Sequence, residues 1–262
     1  EADLIIGTSA GSTAAAQITG AKRPPELLAA ILAPAPPPRT GSPRPKRGRV
    51  PGPAANHMEI SNEIFRTAKD AADMRRRMGA AALETDAASD RAVQARWRAT
   101  VAGRLPSQQW PRRQVLIVVV DAQTGEPVVF DRQSGVALAD AVAASCANGF
   151  GVPPYSIGET RYIDGGYRSV ENADLAAGYE RVLVLSPFGG RSRAPLEWGI
   201  HLATQVDKLR AGGGSVETIF PDRRSLDAFG ANMMDPSARP PSARAGHEQG
   251  GALAGRLAEF WR

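Results

Sequence analysis

Apolar residues fall along this chain in two rhythms: short unbroken runs, and longer stretches with a spacing of three to four. Leu4-Ile5-Ile6 is the first short run; it predicts a buried strand, and Ala14 to Ile18 predicts the helix behind it. Ile60, Ile64, Ala68, Ala71, Ala72 and Met78 then recur near helical spacing, and Val93, Trp97, Val101 and Leu105 step by four. Both sets predict amphipathic helices, with arginines on the remaining faces as on helices that cover one surface. From Gln114 the rhythm changes. The run "VLIVVV" at 115–120 is continuous and β-branched, as in a parallel strand buried on both faces. A helix over 138–147, a strand near 159–163, the strand "RVLVL" at 181–185 and a last strand over 216–220 complete the pattern. Strands alternating with helices predict an α/β fold, a mostly parallel open sheet flanked by helices.

The stretch 34–56 breaks the rhythm, being dense in proline, glycine and arginine. With the two helical patterns behind it, the stretch 34–112 is expected to form a loop and helical cap inserted into a single domain spanning 1–262. "RTGSPRPKRGR" at 39–49 carries Arg39, Arg44, Lys46, Arg47 and Arg49, with no acid between Glu26 and Glu59. This is a solvated insertion by composition, or a patch for peripheral contact with an anionic membrane surface. No aromatic residue interleaves the basic ones, so there is no stacking platform for nucleic acid, and none is expected as a partner.

At 262 residues and a net charge of +5 the chain is long enough for a full core. No run reaches the roughly 18 apolar residues of a membrane span. One cysteine, Cys146, leaves no internal disulfide, and three histidines with it give no metal-ligand spacing. No metal or cofactor is expected. The expected localisation is cytoplasmic or peripheral to a membrane. The sequence opens on Glu1 beside a strand, and the expectation is that upstream residues, with any targeting signal, are missing.

Gly7-Thr8-Ser9-Ala10-Gly11 fits G-x-S-x-G, the strained turn between strand and helix that exposes a nucleophilic serine. Gly7 and Gly11 are expected where a Cβ would collide with neighbouring backbone. A serine needs a base and a cradle for the oxyanion. Two kinds of base are available. His201, in an amphipathic helix, or His247, in a polar loop, would complete a Ser-Asp-His triad. The other is Asp164 in "TRYIDGGY", where a strand ends and Gly165 and Gly166 follow; ligands gather at such carboxyl ends of strands.

"GTSAGS", "AVAASCA", "VPPYSIGETRYIDGG" and "ENADLAAGYERVLVL" together resemble the patatin-like phospholipases. The resemblance covers 1–33 and 114–186 and implies a three-layer α/β/α fold. It further implies a lipid acyl hydrolase acting on phospholipid or other fatty esters through a serine–aspartate dyad without histidine. By this likeness Ser9 is the nucleophile, Asp164 the general base, and the backbone of Ala10 part of the oxyanion hole. The alternatives are a patatin fold that serves as a lipid-surface scaffold without turnover, and an α/β-hydrolase esterase with a histidine triad. The chain departs from the family at two points. The family's Gly-Gly-Gly-x-Arg-Gly turn, which supplies most of the oxyanion hole, does not precede the elbow here, so slow ester hydrolysis is expected of residues 1–262. Asn148-Gly149 stands where the family has a small residue and proline.

Overall fold

The computed structural model describes residues 2–33, 54–84, 91–149, 151–230 and 235–262. Strand β1 (Leu4–Thr8) leads into helices α1 (Ala10–Ile18) and α2 (Pro24–Leu32). Helices α3 (Ala54–Thr67), α4 (Ala71–Leu83) and α5 (Arg91–Ala102) follow, then the hairpin of β2 (Gln114–Asp121) and β3 (Pro127–Phe130), and α6 (Leu138–Ser145). A second hairpin joins β4 (Tyr155–Ile157) to β5 (Thr160–Asp164). The chain ends with β6 (Arg181–Leu185), α7 (Leu202–Ala211), β7 (Ser215–Ile219), α8 (Arg223–Phe229) and α9 (Arg239–Phe260). None of the described helices is long and apolar enough to cross a membrane.

The β-branched run is the spine. Val115, Ile117 and Val119 point into one core with Ala15 and Ala16 of α1, Val101 of α5 and most of α6. Val120 and Ala122, one register step out of phase, point into another with Ile64, Met74, Met78 and Ala82 of α3 and α4. Alternation of side chains along a strand thus turns one continuous apolar run into two cores, one on each face of the sheet, and makes three layers. Met74 and Met78 are fully buried, each contributing roughly 1.5–3 kcal/mol of apolar burial. The helices of the 34–112 stretch therefore divide, α3 and α4 on one face and α5 on the other. The apolar series from Ile60 to Met78 forms two helices because Asp70 caps the second: its Oδ1 accepts the Asp73 N–H at 2.7 Å, a bond that starts a new helix. A third core gathers Val182, Val184, Leu202, Val206 and Val216, with Ile6 of β1 against it.

The α/β class stands, but strand direction is mixed rather than mostly parallel. β1–β2 and β6–β7 pair parallel; β2–β3, β2–β5 and β4–β5 pair antiparallel. Tight turns account for two of the three antiparallel pairs: β3 follows β2, and β5 follows β4, through short connections that only antiparallel neighbours accept. β1 is half-buried rather than buried, pairing among the described residues with β2 alone.

Register then sets up the site. Val118 pairs with Thr8 of β1 and with Val129 of β3, while Val119 pairs with Asp164 of β5 and with Val128 of β3. A strand residue has two edges, so β1 and β5 share the edge of β2 opposite β3. They meet there end to end, at consecutive positions.

Candidate active site

Ser9 follows β1 directly and takes φ 54°, ψ −122°, a backbone that residues with a side chain rarely adopt. Its neighbours hold it there. The Ser9 N–H donates to Ser145 Oγ at 2.9 Å, and Ser145 Oγ donates in turn to the Val118 carbonyl at 2.7 Å. The Ser9 carbonyl accepts from Ser12 N at 2.9 Å, Ser12 Oγ at 2.6 Å and Cys146 Sγ at 3.1 Å. Burial pushes the Cys146 thiol up to about 11, so it stays a neutral donor. A Cβ on Gly7 would stand 2.5 Å from Ser12 Cα, which no real contact allows; on Gly11 it would meet nothing within 4 Å. The steric need expected at both glycines of the elbow thus holds at Gly7 only, because Gly11 faces out from the first turn of α1.

Asp164 ends β5. Its N–H donates to the Ala147 carbonyl at 2.8 Å, and its Oδ1 accepts the Gly166 N–H at 2.8 Å. The residue is 9% exposed. Burial raises its pKa to about 6, against smaller lowering effects of hydrogen bonds from the Ser9 side chain and the Gly166 N–H. A Cβ on Gly165 would lie 2.2 Å from the Val118 carbonyl oxygen, so only glycine lets the chain turn against β2 immediately after the carboxylate.

The histidines stand elsewhere. His201 caps α7, with Nε2 2.7 Å from the Ala194 carbonyl. His247 lies exposed within α9, where the polar loop was expected; the small polar residues of 239–251 continue as helix behind Pro240 and Pro241 in its first turn. His57 lies where side chains are outside the described residues. No imidazole among the described side chains bonds to Ser9 or Asp164, and no described group of His, Cys, Asp and Glu could hold a metal ion.

A profile of the patatin-like phospholipase family matches residues 1–177. The chain belongs to that family. No curated protein sequence matches the chain. Membership brings a three-layer α/β/α fold and lipid acyl hydrolysis as the chemistry. The matched span takes in the elbow and the Asp-Gly-Gly turn, and ends beyond a residue that sequence reasoning passed over.

That residue is Asn172. Fully buried, at φ 53° and ψ 36°, it occupies the left-handed region that asparagine tolerates better than most residues. Its Nδ2 lies 2.9 Å from Thr8 Oγ1, 3.2 Å from the Gly165 carbonyl and 2.7 Å from the Ser169 carbonyl. One amide thus ties the residue before Ser9 to the residue after Asp164. Arg168 orients it, donating to Asn172 Oδ1 at 2.7 Å while holding Asp174 through both carboxylate oxygens at 2.9 and 2.6 Å. The signal in the sequence was Asn172 beside Asp174 in "ENAD", four and six residues after Arg168.

Asp164 opens into a cavity of about 400 Å³. Phe65 and Met74 from α3 and α4, Tyr167, Phe188 and Arg193 are among its walls, a mainly apolar enclosure with a few polar groups, as small-molecule sites have. Asn148 lines it too, its carbonyl accepting from Tyr167 Oη at 2.7 Å and its Oδ1 from the N–H groups of Gly151 and Val152. The departure at Asn148-Gly149 thus makes a polar corner in the cavity wall. The basic run 39–49 lies outside the described residues.

Proposed function

We propose that this protein is a serine-dependent lipid acyl hydrolase that cleaves carboxylic esters with Ser9 and Asp164 and no imidazole. One observation carries the reading. β1 and β5 abut on one edge of β2, where Thr8, the residue before Ser9, and Asp164 pair with the consecutive positions Val118 and Val119, and the Ser9 hydroxyl bonds a buried carboxylate whose pKa is pushed up to about 6. A carboxylate so raised is a better base than a solvated aspartate and is still ionised at neutral pH.

In the reaction Ser9 Oγ attacks the ester carbonyl carbon as its proton passes to Asp164. The oxyanion that develops is met by the N–H of Ala10. As the first residue of α1, Ala10 belongs to the first turn, whose N–H groups lack intrahelical partners and sit at the positive end of the helix dipole. Collapse expels the alcohol, which takes the proton from Asp164 and leaves Ser9 acylated. Water then attacks the acyl group with Asp164 as base, and the carboxylic acid departs as Ser9 regains its hydrogen. The cavity's apolar walls at Phe65, Met74 and Phe188 suit fatty chains.

The test is hydrolysis of a short soluble ester. Ser9→Ala and Asp164→Asn should each remove activity with the fold intact, while His201→Ala and His247→Ala should retain most of it. Loss of activity in a folded histidine variant would replace the dyad with a triad.

A further inference from the structure

We propose that Ser145 is a positioning residue for the Ser9–Asp164 pair, its buried hydroxyl holding the elbow where the Ser9 side chain meets the carboxylate. The inference rests on the hydrolase reading above and adds to it the group that keeps the nucleophile against its base.

β1 and β5 meet end to end on β2 and are not neighbours in the sheet, so no ladder bond fixes Ser9 relative to Asp164. Three consecutive residues at the end of α6 touch both instead. Ser145 Oγ accepts the Ser9 N–H at 2.9 Å, Cys146 Sγ donates to the Ser9 carbonyl at 3.1 Å, and the Ala147 carbonyl accepts the Asp164 N–H at 2.8 Å. These bonds differ in what would replace them. Without Cys146 the Ser9 carbonyl keeps Ser12 N and Ser12 Oγ as donors, and the Ala147 bond is backbone to backbone. No second acceptor among the described residues takes the Ser9 N–H.

Ser145 is fully buried in a helix whose other buried residues are alanine, valine and leucine, where an unpaired hydroxyl is costly. Thr19, Thr67 and Thr100 turn their hydroxyls back onto the carbonyls four residues before them, the local bond open to a serine or threonine in a helix. Ser145 reaches out of its helix, taking the Ser9 N–H and donating to the Val118 carbonyl at 2.7 Å. Val118 pairs with Thr8 and its neighbour Val119 with Asp164. The hydroxyl therefore sits where the two strands that carry the dyad meet.

Ser9 at φ 54° is in a backbone state that persists only where its surroundings over-determine it. Without the Ser145 hydroxyl the Ser9 N–H and the Val118 carbonyl both lose a partner, the elbow relaxes, and Ser9 Oγ draws away from the carboxylate. The bond from Ser9 lowers the Asp164 pKa against burial, so its loss lets burial push that pKa above about 6. A variant that only loosened the fold would do the opposite, because admitted water favours the ionised form. The other titratable groups around Asp164 are Cys146 and Tyr167, both held neutral by burial, and Arg191 and Arg193 on the cavity wall. None of their side chains bonds the Ser145 hydroxyl.

The experiment measures kcat, KM and the pH profile for a short soluble ester in the wild type, Ser145→Ala, Ser145→Thr and Ser145→Cys. Ser145→Ala should lose about tenfold to a hundredfold in kcat, with KM within about twofold, and the acid limb of kcat/KM should move to higher pH. Ser145→Thr, which keeps a hydroxyl, should restore most of kcat and the wild-type limb. If Ser145→Ala fails to fold, Ser145→Cys, a weak donor and acceptor, should show the same changes in smaller measure. A kcat within about twofold of the wild type, a loss confined to KM, or an acid limb that stays or moves to lower pH would overturn the role. A titration without substrate separates this inference from the hydrolase reading. In protein isotopically labelled at the aspartate carboxyl carbons, the resonance missing from Asp164→Asn reports that group. Its midpoint should rise in Ser145→Ala and in Ser9→Ala, and Ser145→Ala should add nothing on the Ser9→Ala background, where the hydroxyl through which it acts is gone. That pattern in a protein that cleaves no ester would sustain the positioning role and remove the hydrolase reading alone. Ester cleavage with a midpoint that Ser145→Ala leaves unmoved would remove the positioning role alone.

Discussion

Replacing Asp164 by asparagine should make the protein more stable at neutral pH while removing its activity. The carboxyl is almost wholly buried, and burial raises its pKa from the ordinary 3.8 to about 6. Below pH 3.8 it is protonated in both the folded and unfolded chain and adds no pH-dependent cost. As pH rises through 3.8 to about 6 the unfolded chain releases its proton while the folded chain retains it, and the stability that the raised pKa represents is lost across that window. The gap amounts to ~3 kcal/mol, at about 1.4 kcal/mol per pH unit, and is complete by pH 7. Asparagine keeps an oxygen for the Gly166 N–H and carries no charge to bury, so it escapes this cost. Urea denaturation of both proteins between pH 4 and 8 measures it. The advantage of Asp164→Asn should grow from near zero at the acid end to a few kcal/mol at pH 7.5. A flat difference across the range would refute the burial argument. In the wild type, kcat/KM should fall about tenfold per pH unit below pH 6 as the base takes up its proton.

Gly165→Ala should destabilise severely and abolish activity, since its Cβ would stand 2.2 Å from the Val118 carbonyl oxygen; Gly11→Ala, with nothing within 4 Å, should raise the melting temperature, gaining up to ~1 kcal/mol of helix propensity. Asn172→Ala would orphan Thr8 Oγ1 and the Gly165 carbonyl at a cost of about 1–3 kcal/mol. It should lower kcat more than it alters KM, and an unchanged kcat in the folded variant would rule out a positioning role.

Much of the site was legible locally. Gly7 before Ser9 and the pair of glycines after Asp164 mark backbone that must turn sharply, and such demands are met within a few residues. The β-branched run 115–120 likewise announced a buried central strand. Three features were beyond reach of the sequence alone. Strand direction was one: antiparallel β5 and parallel β1 share one edge of β2, and hydrophobicity carries no sign of direction. The supports of the elbow were another. Ser145 stands 136 residues from Ser9, and Asn172 164 residues from Thr8; small polar residues inside an apolar helix or turn carry no mark of the partner they will meet. The third was the acidity of Asp164. Composition specifies a carboxylate, but its pKa depends on how much water the surrounding layers exclude, and that is decided only when α3, α4 and the β6 loop close around the end of β5.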